Sequence, residues 1–245
     1  MNTLVSEFFG TYLMMLLGLG VNANVSLKNT KGSFSSASAW VLICAGWAFA
    51  VYVGVVVAGP ISGAHLNPAV SLALLINGSL SMTDFISYVG VQFAGAIAAS
   101  FSVWYMYNDH FKATESLETR RGVFCTAPEY ANVAQNFFSE FIGAFVLLFA
   151  ILHFTDPELL ASGEKIGMGS IGALPVAIVV WGIGLSLGGT TGYAINPARD
   201  LGPRIAHALL PVKEKADGNW SYSWIPVVGP LCGAAFAALL FSLLS

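Results

Sequence analysis

The stretch GAHLNPAVSLAL, residues 63–74, places an asparagine and a proline directly before a short apolar run. Asparagine is a favoured helix N-cap, and proline is favoured at the first helical position, where its missing N–H costs nothing. The stretch GYAINPARDLGP, residues 192–203, repeats the pair. A single copy indicates only a helix start, but two copies at matching places in the chain predict a shared function.

The apolar runs that these pairs open, about 67–76 and 196–210, are too short to cross a bilayer. Ten helical residues reach about 15 Å, roughly half of a 30 Å hydrocarbon core. Six other apolar segments are long enough to span, at about 5–26, 39–58, 84–107, 137–155, 170–188 and 223–244. The sequence therefore predicts an all-α membrane protein with six transmembrane helices and two half-helices.

An internal repeat relates the two halves of the chain. The matching segments are SEFFGTYLMMLLG from Ser6 with SEFIGAFVLLFAI from Ser139, and VGVQFAGAIAA from Val89 with VGPLCGAAFAA from Val228. Each half, about 1–110 and 136–245, has the order span, span, half-helix, span. Because three crossings are an odd number, the halves are inverted and the half-helices are re-entrant from opposite faces. We predict one transmembrane channel domain, residues 1–245.

The composition restricts the class of protein. Hydrophobic residues make up 56% of the 245 residues and charged residues only 9%, which does not allow a water-soluble surface. The net charge of −3, without a basic cluster, argues against nucleic acid as a partner. The three cysteines lack metal-ligand spacing, and the HExxH motif is absent. We expect no metal, no cofactor and no catalytic residue.

The irregular residues before each asparagine predict a polar path through the membrane. Such backbone is tolerated at membrane depth only where protein or a water-filled cavity satisfies its polar groups. Asn67 and Asn196 should cap their helices through the side-chain oxygen and aim both NH₂ groups at one central point. His65 could contribute either its ring or only its backbone carbonyl to this polar path, and we favour the carbonyl. The expected line of carbonyl acceptors is Gly63, Ala64, His65, Gly192, Tyr193 and Ala194.

The half-helix N-termini bring positive dipole ends to the same centre. A cation is repelled there. A neutral molecule that carries hydroxyl groups instead exchanges its hydrogen bonds with water for bonds to the carbonyls and the two asparagines.

Glu7 and Glu140 occupy equivalent places in the first span of each half. Carboxylates inside a membrane are candidates for proton relays. Their symmetry favours a supporting role instead, in which each accepts hydrogen bonds from backbone N–H groups of its own re-entrant loop.

The motifs SGAHLNPAV and GYAINPARDLGPR resemble those of the major intrinsic protein family, and within it the aquaglyceroporin, or glycerol facilitator, branch. The resemblance covers nearly the whole chain. It implies an aquaporin-like fold, a homotetramer in the plasma membrane with one pore per subunit, and passive conduction of glycerol and water. Exclusion of protons and cations by half-helix dipoles and an arginine is the known behaviour of aquaporin-type pores, and the resemblance implies the same behaviour for this chain.

The resemblance also implies a selectivity filter near one mouth, formed by Trp47, Gly184, Tyr193 and Arg199. Their spacing in the sequence from the two asparagines indicates that Trp47 and Gly184 lie at a similar depth in the membrane. Trp47 lies 20 residues before Asn67, a full crossing away, whereas Gly184 lies only 12 before Asn196 because its loop descends from the other face.

Two of these residues have alternative interpretations. Trp47 could be an interfacial aromatic anchor, since tryptophan is enriched there in membrane proteins. Arg199 could form an ion pair with Asp200, because an arginine at membrane depth needs water or a partner. We instead predict that Asp200 pairs with Arg204, four residues later, and that Arg199 faces the pore.

The residue type at position 184 distinguishes the two branches of the family that the chain resembles. The water-selective branch would have histidine there, whereas glycine leaves room for a carbon chain. Trp47 and Tyr193 would then pack on CH₂ groups while Arg199 binds hydroxyls. Tyr193 departs from the phenylalanine common in the glycerol branch, so its hydroxyl is expected to narrow or polarise the filter.

The predicted function is a passive channel for glycerol and other small neutral solutes, with water. A mainly water-selective pore and a coupled secondary transporter of a small polyol are the alternatives. The transporter is disfavoured because the spans hold almost no carboxylate besides Glu7 and Glu140.

The resemblance places both termini in the cytoplasm, and this conflicts with the positive-inside rule. It leaves Lys165 inside and puts outside the cations Lys28, Lys31, Lys112, Arg120, Arg121, Lys213 and Lys215. We follow the resemblance, since the inverted-repeat geometry is the same in either orientation.

Overall fold

The computed structural model describes nearly the whole chain. The described residues are 1–33, 38–155, 158, 163, 166–212 and 214–245. Lys165 and Lys213, which entered the charge comparison, lie outside them.

Six helices among the described residues are long and apolar enough to cross a membrane. They are α1 (Thr3–Ser26), α2 (Ser38–Ser62), α4 (Met82–Met106), α7 (Val133–Leu152), α8 (Leu174–Leu187, preceded by a 3₁₀ turn, Gly169–Ala173) and α10 (Ile225–Leu244). Each predicted span falls on one of them, so the prediction of six transmembrane helices is confirmed. The second helix runs to Ser62 instead of 58, because Pro60 is accommodated inside it and Gly63 N–H still bonds Gly59 O at 3.1 Å.

The two half-helices are α3 (Pro68–Ile76) and α9 (Pro197–Leu209). Asn67 Oδ1 accepts from Ala69 N at 2.8 Å, and Asn196 Oδ1 accepts from Ala198 N at 3.0 Å. The predicted asparagine caps are therefore confirmed, and each proline occupies the first helical turn.

Two short helices, α5 (Asn108–Ala113) and α6 (Leu117–Gly122), lie in the connection between α4 and α7. Six residues each are too few to show helical periodicity in a sequence. Their position depends on distant contacts: Thr114 Oγ1 accepts from Lys28 N at 2.9 Å, and Val123 O accepts from Asn22 Nδ2 at 3.2 Å. The connection therefore packs over the end of α1.

The long helices approach one another closely where one of them carries glycine. Helix α1 packs along α2 and α4, and α7 packs along α10. A Cβ on Gly95 of α4 would lie 2.6 Å from Phe8 O of α1, and a Cβ on Gly233 of α10 would collide with Phe141 O of α7. Glycine at these positions permits the backbone contact on which membrane helix packing depends.

The half-helices lock the two repeats together. Helix α3 packs against α10 as well as α4, and α9 packs against α4 as well as α10. Each half-helix thus contacts the last helix of the other repeat, and the tips of both meet at the centre of the molecule.

We expect Gly233→Ala to destabilise the fold. The added methyl meets backbone that cannot rotate away, and overpacking of this kind costs about 1–3 kcal/mol. Thermal unfolding of the detergent-purified protein measures the loss. Gly90→Ala on α4 is the matched control, because a Cβ there meets nothing within 4 Å. Equal melting temperatures for the two variants would contradict the packing argument.

Candidate functional site

The residues before α3 adopt a backbone that only a special environment sustains. Gly63, Ala64 and Leu66 have φ of 81°, 50° and 52°. Left-handed conformations are unfavourable for residues with a Cβ and occur mainly where surrounding structure enforces them. The backbone here cannot form helical hydrogen bonds, so its carbonyl groups remain available to other partners.

The residues before α9 repeat this conformation. Gly192, Tyr193 and Ile195 have φ of 84°, 38° and 44°. All six residues expected to supply carbonyl acceptors line one of two cavities, five the pore cavity and Gly192 the second, both described below.

Each asparagine also bonds to the opposite loop. Asn67 Nδ2 donates to Ile195 O at 2.9 Å, and Asn196 Nδ2 donates to Leu66 O at 2.9 Å. An NH₂ group has two hydrogens, so one on each asparagine remains for a molecule in the lumen. The sequence prediction aimed the two NH₂ groups at one central point and did not foresee a bond to the opposite loop. The reciprocal bonds show that one of each pair joins the two half-helices.

A buried glutamate holds each loop. Glu7 accepts from the backbone N–H groups of His65 and Leu66, both at 2.8 Å. Glu140 accepts from Ala194 N at 3.0 Å and Ile195 N at 2.8 Å. Both carboxylates are fully buried, and these bonds satisfy N–H groups that the irregular backbone leaves without helical partners.

His65 contributes more than its carbonyl. Its Nδ1 lies 3.0 Å from Ser71 Oγ, and its ring packs edge-on against Tyr88 with centroids 4.8 Å apart. Gln92 Nε2 donates both to Ser71 Oγ at 3.1 Å and to Glu7 Oε2 at 2.9 Å. The ring is therefore fixed against the wall of the pore cavity.

Two cavities meet at the predicted filter. The pore cavity, about 240 Å³, runs past both asparagines and has an apolar wall that includes Met14, Val51, Val55, Leu147 and Val180. The second cavity, about 220 Å³ and called the vestibule here, is lined among others by Asn22, Trp40, Arg121 and Thr126. Tyr193 and Arg199 line both, so these two side chains stand at the boundary.

The charge of Arg199 lies over an aromatic face. Its guanidinium carbon is 4.2 Å from the centroid of the Trp47 ring, within the range of a cation–π interaction. Trp47 is oriented by its Nε1, which donates to Asn22 Oδ1 at 3.1 Å. Only 6% of Arg199 is exposed, and its Nη1 has no hydrogen-bond partner among the described residues.

Gly184 lies behind Tyr193 and lines neither cavity. A Cβ at Gly184 would be 2.9 Å from Tyr193 Cζ and 3.0 Å from Cys44 Sγ. The room that glycine leaves is therefore occupied by the tyrosine ring. The Tyr193 hydroxyl is buried in this notch without a hydrogen-bond partner among the described residues, so the ring and not the hydroxyl faces the lumen.

The predicted Asp200–Arg204 pair is confirmed, with 2.7 Å between Oδ1 and Nη2 and both side chains fully buried. Asp200 also accepts from Thr126 N at 2.8 Å, and Arg204 Nη2 donates to Thr126 O at 2.9 Å. Arg204 Nη1 reaches the carbonyl of Gly218. The pair therefore ties two distant connections to α9, which the i, i+4 spacing alone does not reveal.

Sequence reasoning missed Asn22, Thr126 and Arg121 as site residues. Each reaches the site through contacts far along the chain, and no local pattern marks them. No group of three or more metal-ligating side chains occurs among the described residues.

Comparison with known proteins agrees with this geometry. The Major intrinsic protein family matches residues 1–241. The chain is 46% identical to the glycerol uptake facilitator protein of Streptococcus pneumoniae over 99% of both chains. It is 39% identical to the D/L-lactic acid transporter of Lactiplantibacillus plantarum, covering 96% of this chain and 94% of that one. The X-ray structure of the aquaglyceroporin from Plasmodium falciparum superposes with a TM-score of 0.82 at 28% identity, covering 97% and 93%.

Arg204→Met should destabilise the protein strongly. Removing one partner leaves the Asp200 carboxylate buried with its charge uncompensated, which costs about 3–5 kcal/mol. Thermal unfolding in detergent measures the effect. Lys112→Met is the control, because Lys112 pairs with Asp109 at 3.0 Å on the exposed surface, where an ion pair contributes about 0–1 kcal/mol. Similar losses in the two variants would refute the structural importance of the buried pair.

Proposed function

Since the chain belongs to the major intrinsic protein family, we propose that it is a passive channel that conducts glycerol and other small neutral solutes, with water, across the plasma membrane. The observation that carries this proposal is the two-sided pore cavity. One side presents loop carbonyls and the Asn67 and Asn196 amides, and the other is apolar. A polyol has hydroxyl groups along one edge and carbon along the other, and so it matches both sides.

Within this channel, Trp47, Tyr193 and Arg199 are the proposed selectivity filter. The aromatic faces provide an apolar corner for CH₂ groups. The Nη1 of Arg199, which has no partner within the described residues, provides a hydrogen-bond donor for a hydroxyl. Gly184 belongs to the filter indirectly, because it admits the Tyr193 ring.

Exclusion of ions and protons follows from the half-helices and the filter arginine. The N-termini of α3 and α9 meet at the two asparagines, and the Arg199 charge stands at the filter, so a cation encounters positive potential twice. The remaining N–H of each asparagine is a donor, which suits the oxygen of a neutral solute.

The pore is complete within one chain. The filter residues, both asparagines and both supporting glutamates all come from a single subunit, which is compatible with one pore per subunit. We propose a homotetramer, in which some of the apolar side chains exposed on the spans contact neighbouring subunits instead of lipid.

Small neutral solutes other than glycerol can be tested in the same way as glycerol. One relative is named a D/L-lactic acid transporter, and we propose undissociated lactic acid as a further solute of this chain. An undissociated hydroxy acid is neutral and small, and it presents hydroxyl and carboxyl groups to the same carbonyls and amides.

Stopped-flow light scattering on proteoliposomes tests the channel and its filter together. We expect glycerol flux that is linear in concentration and insensitive to a proton gradient. Gly184→His should displace the Tyr193 ring into the lumen and lower glycerol permeability about tenfold or more, equivalent to roughly 1.4 kcal/mol in the barrier, with a smaller loss for water. Gly182→Ala, where a Cβ meets nothing within 4 Å, is the control. Saturable uptake driven by a proton or sodium gradient would reject the channel.

Glu140→Gln tests the supporting glutamates. Its amide NH₂ group cannot accept a hydrogen bond, so one buried N–H of Ala194 or Ile195 loses its partner at a cost of about 1–3 kcal/mol. We expect the loop carbonyls to shift and the permeabilities to glycerol and water to fall together. Glu115→Gln is the control, since Glu115 pairs with Lys28 at the exposed surface. Unchanged flux through the Glu140 variant would contradict the role.

A further inference from the structure

The vestibule contains more hydrogen-bond donors than a passage for neutral solutes requires. Two arginines line it, Arg199 from α9 and Arg121 from α6. They reach the same cavity from positions far apart in the chain, and each brings a full positive charge.

Both guanidinium groups have donors to spare. Arg199 Nη1 is buried and has no partner among the described residues, and the group rests on the Trp47 ring instead of on a carboxylate. Arg121 is anchored by its Nη1, which donates to Asp217 O at 3.2 Å. Its Nε is buried and also has no partner within the described residues. Unpaired buried donors are costly and are expected to bind an acceptor.

Few negative charges oppose the two arginines. Glu118 stands exposed at the rim of the vestibule and forms no salt bridge within the described part of the chain. Asp200 is already paired with Arg204. Burial raises the pKa of the Cys125 thiol to about 12, so this wall residue is neutral at physiological pH. The lining therefore carries one net positive charge.

We propose that the vestibule is a binding site for a small carboxylate anion, held by Arg121 and Arg199. Guanidinium and carboxylate groups match in charge and in planar geometry, and hydrogen bonds between them are among the strongest in proteins. The cavity, about 220 Å³, is smaller than a drug-sized pocket and suits an anion of a few heavy atoms. The bound anion would stand directly at the filter and obstruct it. This site goes beyond conduction and does not depend on which solute the pore carries.

Equilibrium binding of radiolabelled acetate to the full-length protein in detergent tests the site near neutral pH, where acetate is an anion. We expect saturable binding that neutral acetamide does not displace. Arg121→Gln should weaken it about tenfold, the effect of one charge-assisted hydrogen bond, and Glu118→Gln should strengthen it by removing the opposing charge. Arg120→Gln is the matched control on the same helix, because Arg120 donates to Thr114 O and Glu214 O and does not line the vestibule.

The outcomes separate this site from the proposed channel, because glycerol flux is measured on the same protein after reconstitution into proteoliposomes. Absence of saturable acetate binding in a wild-type protein that conducts glycerol would overturn the carboxylate site alone. Equal weakening by the Arg120 and Arg121 variants would also overturn it, as would inorganic phosphate binding more tightly than acetate. If Arg121→Gln fails to fold, the Glu118→Gln variant tests the proposal instead. An unchanged affinity of that variant for acetate would overturn the proposal. Acetate binding without glycerol flux would support the site and reject the proposed function.

Discussion

The reciprocal hydrogen bonds between the two asparagines and the opposite loops are the constraint on which the pore depends. Asn67 Nδ2 donates to Ile195 O and Asn196 Nδ2 donates to Leu66 O, so each loop is bonded to the other. Backbone that leaves its helix inside a membrane must find every partner within the protein or in water. The cross-bonds and the two buried glutamates supply most of these partners. We propose that the carbonyls left over face the lumen, where water or solute completes their hydrogen bonds.

The two halves share this scaffold but differ where selectivity requires it. Three residues after each asparagine stand Val70 and Arg199, and four residues after stand Ser71 and Asp200. On the first half-helix these positions are neutral, and Ser71 joins a hydrogen-bond network with His65 and Gln92. On the second half-helix these positions carry the charge of Arg199, which rests on the Trp47 ring, and the charge of Asp200, which is paired with Arg204. Equivalent backbone thus carries the proposed filter at one end of the pore, and the apolar wall can continue past Val70.

Local sequence rules predicted the caps, the half-helices and the spans, because hydrophobic runs and Asn-Pro pairs are local signals. They did not predict α5 and α6, whose six residues each are held by contacts with the end of α1. Nor did they show that Gly184 serves the Tyr193 ring. A glycine in a helix indicates that space is needed, but only the tertiary structure shows which side chain fills it.

The two arginines of α9 illustrate how pairing decides function. Arg204 commits its guanidinium to Asp200, Thr126 and the 218–219 backbone, and it fixes the connections around the vestibule. Arg199, five residues earlier, rests on an aromatic face that neutralises nothing and consumes none of its N–H donors. Arg204 therefore has an indirect effect on Arg199. Because Arg204 pairs with the Asp200 carboxylate, that carboxylate does not pair with Arg199. What the filter offers a solute is the set of donors that the rest of the fold leaves unpaired.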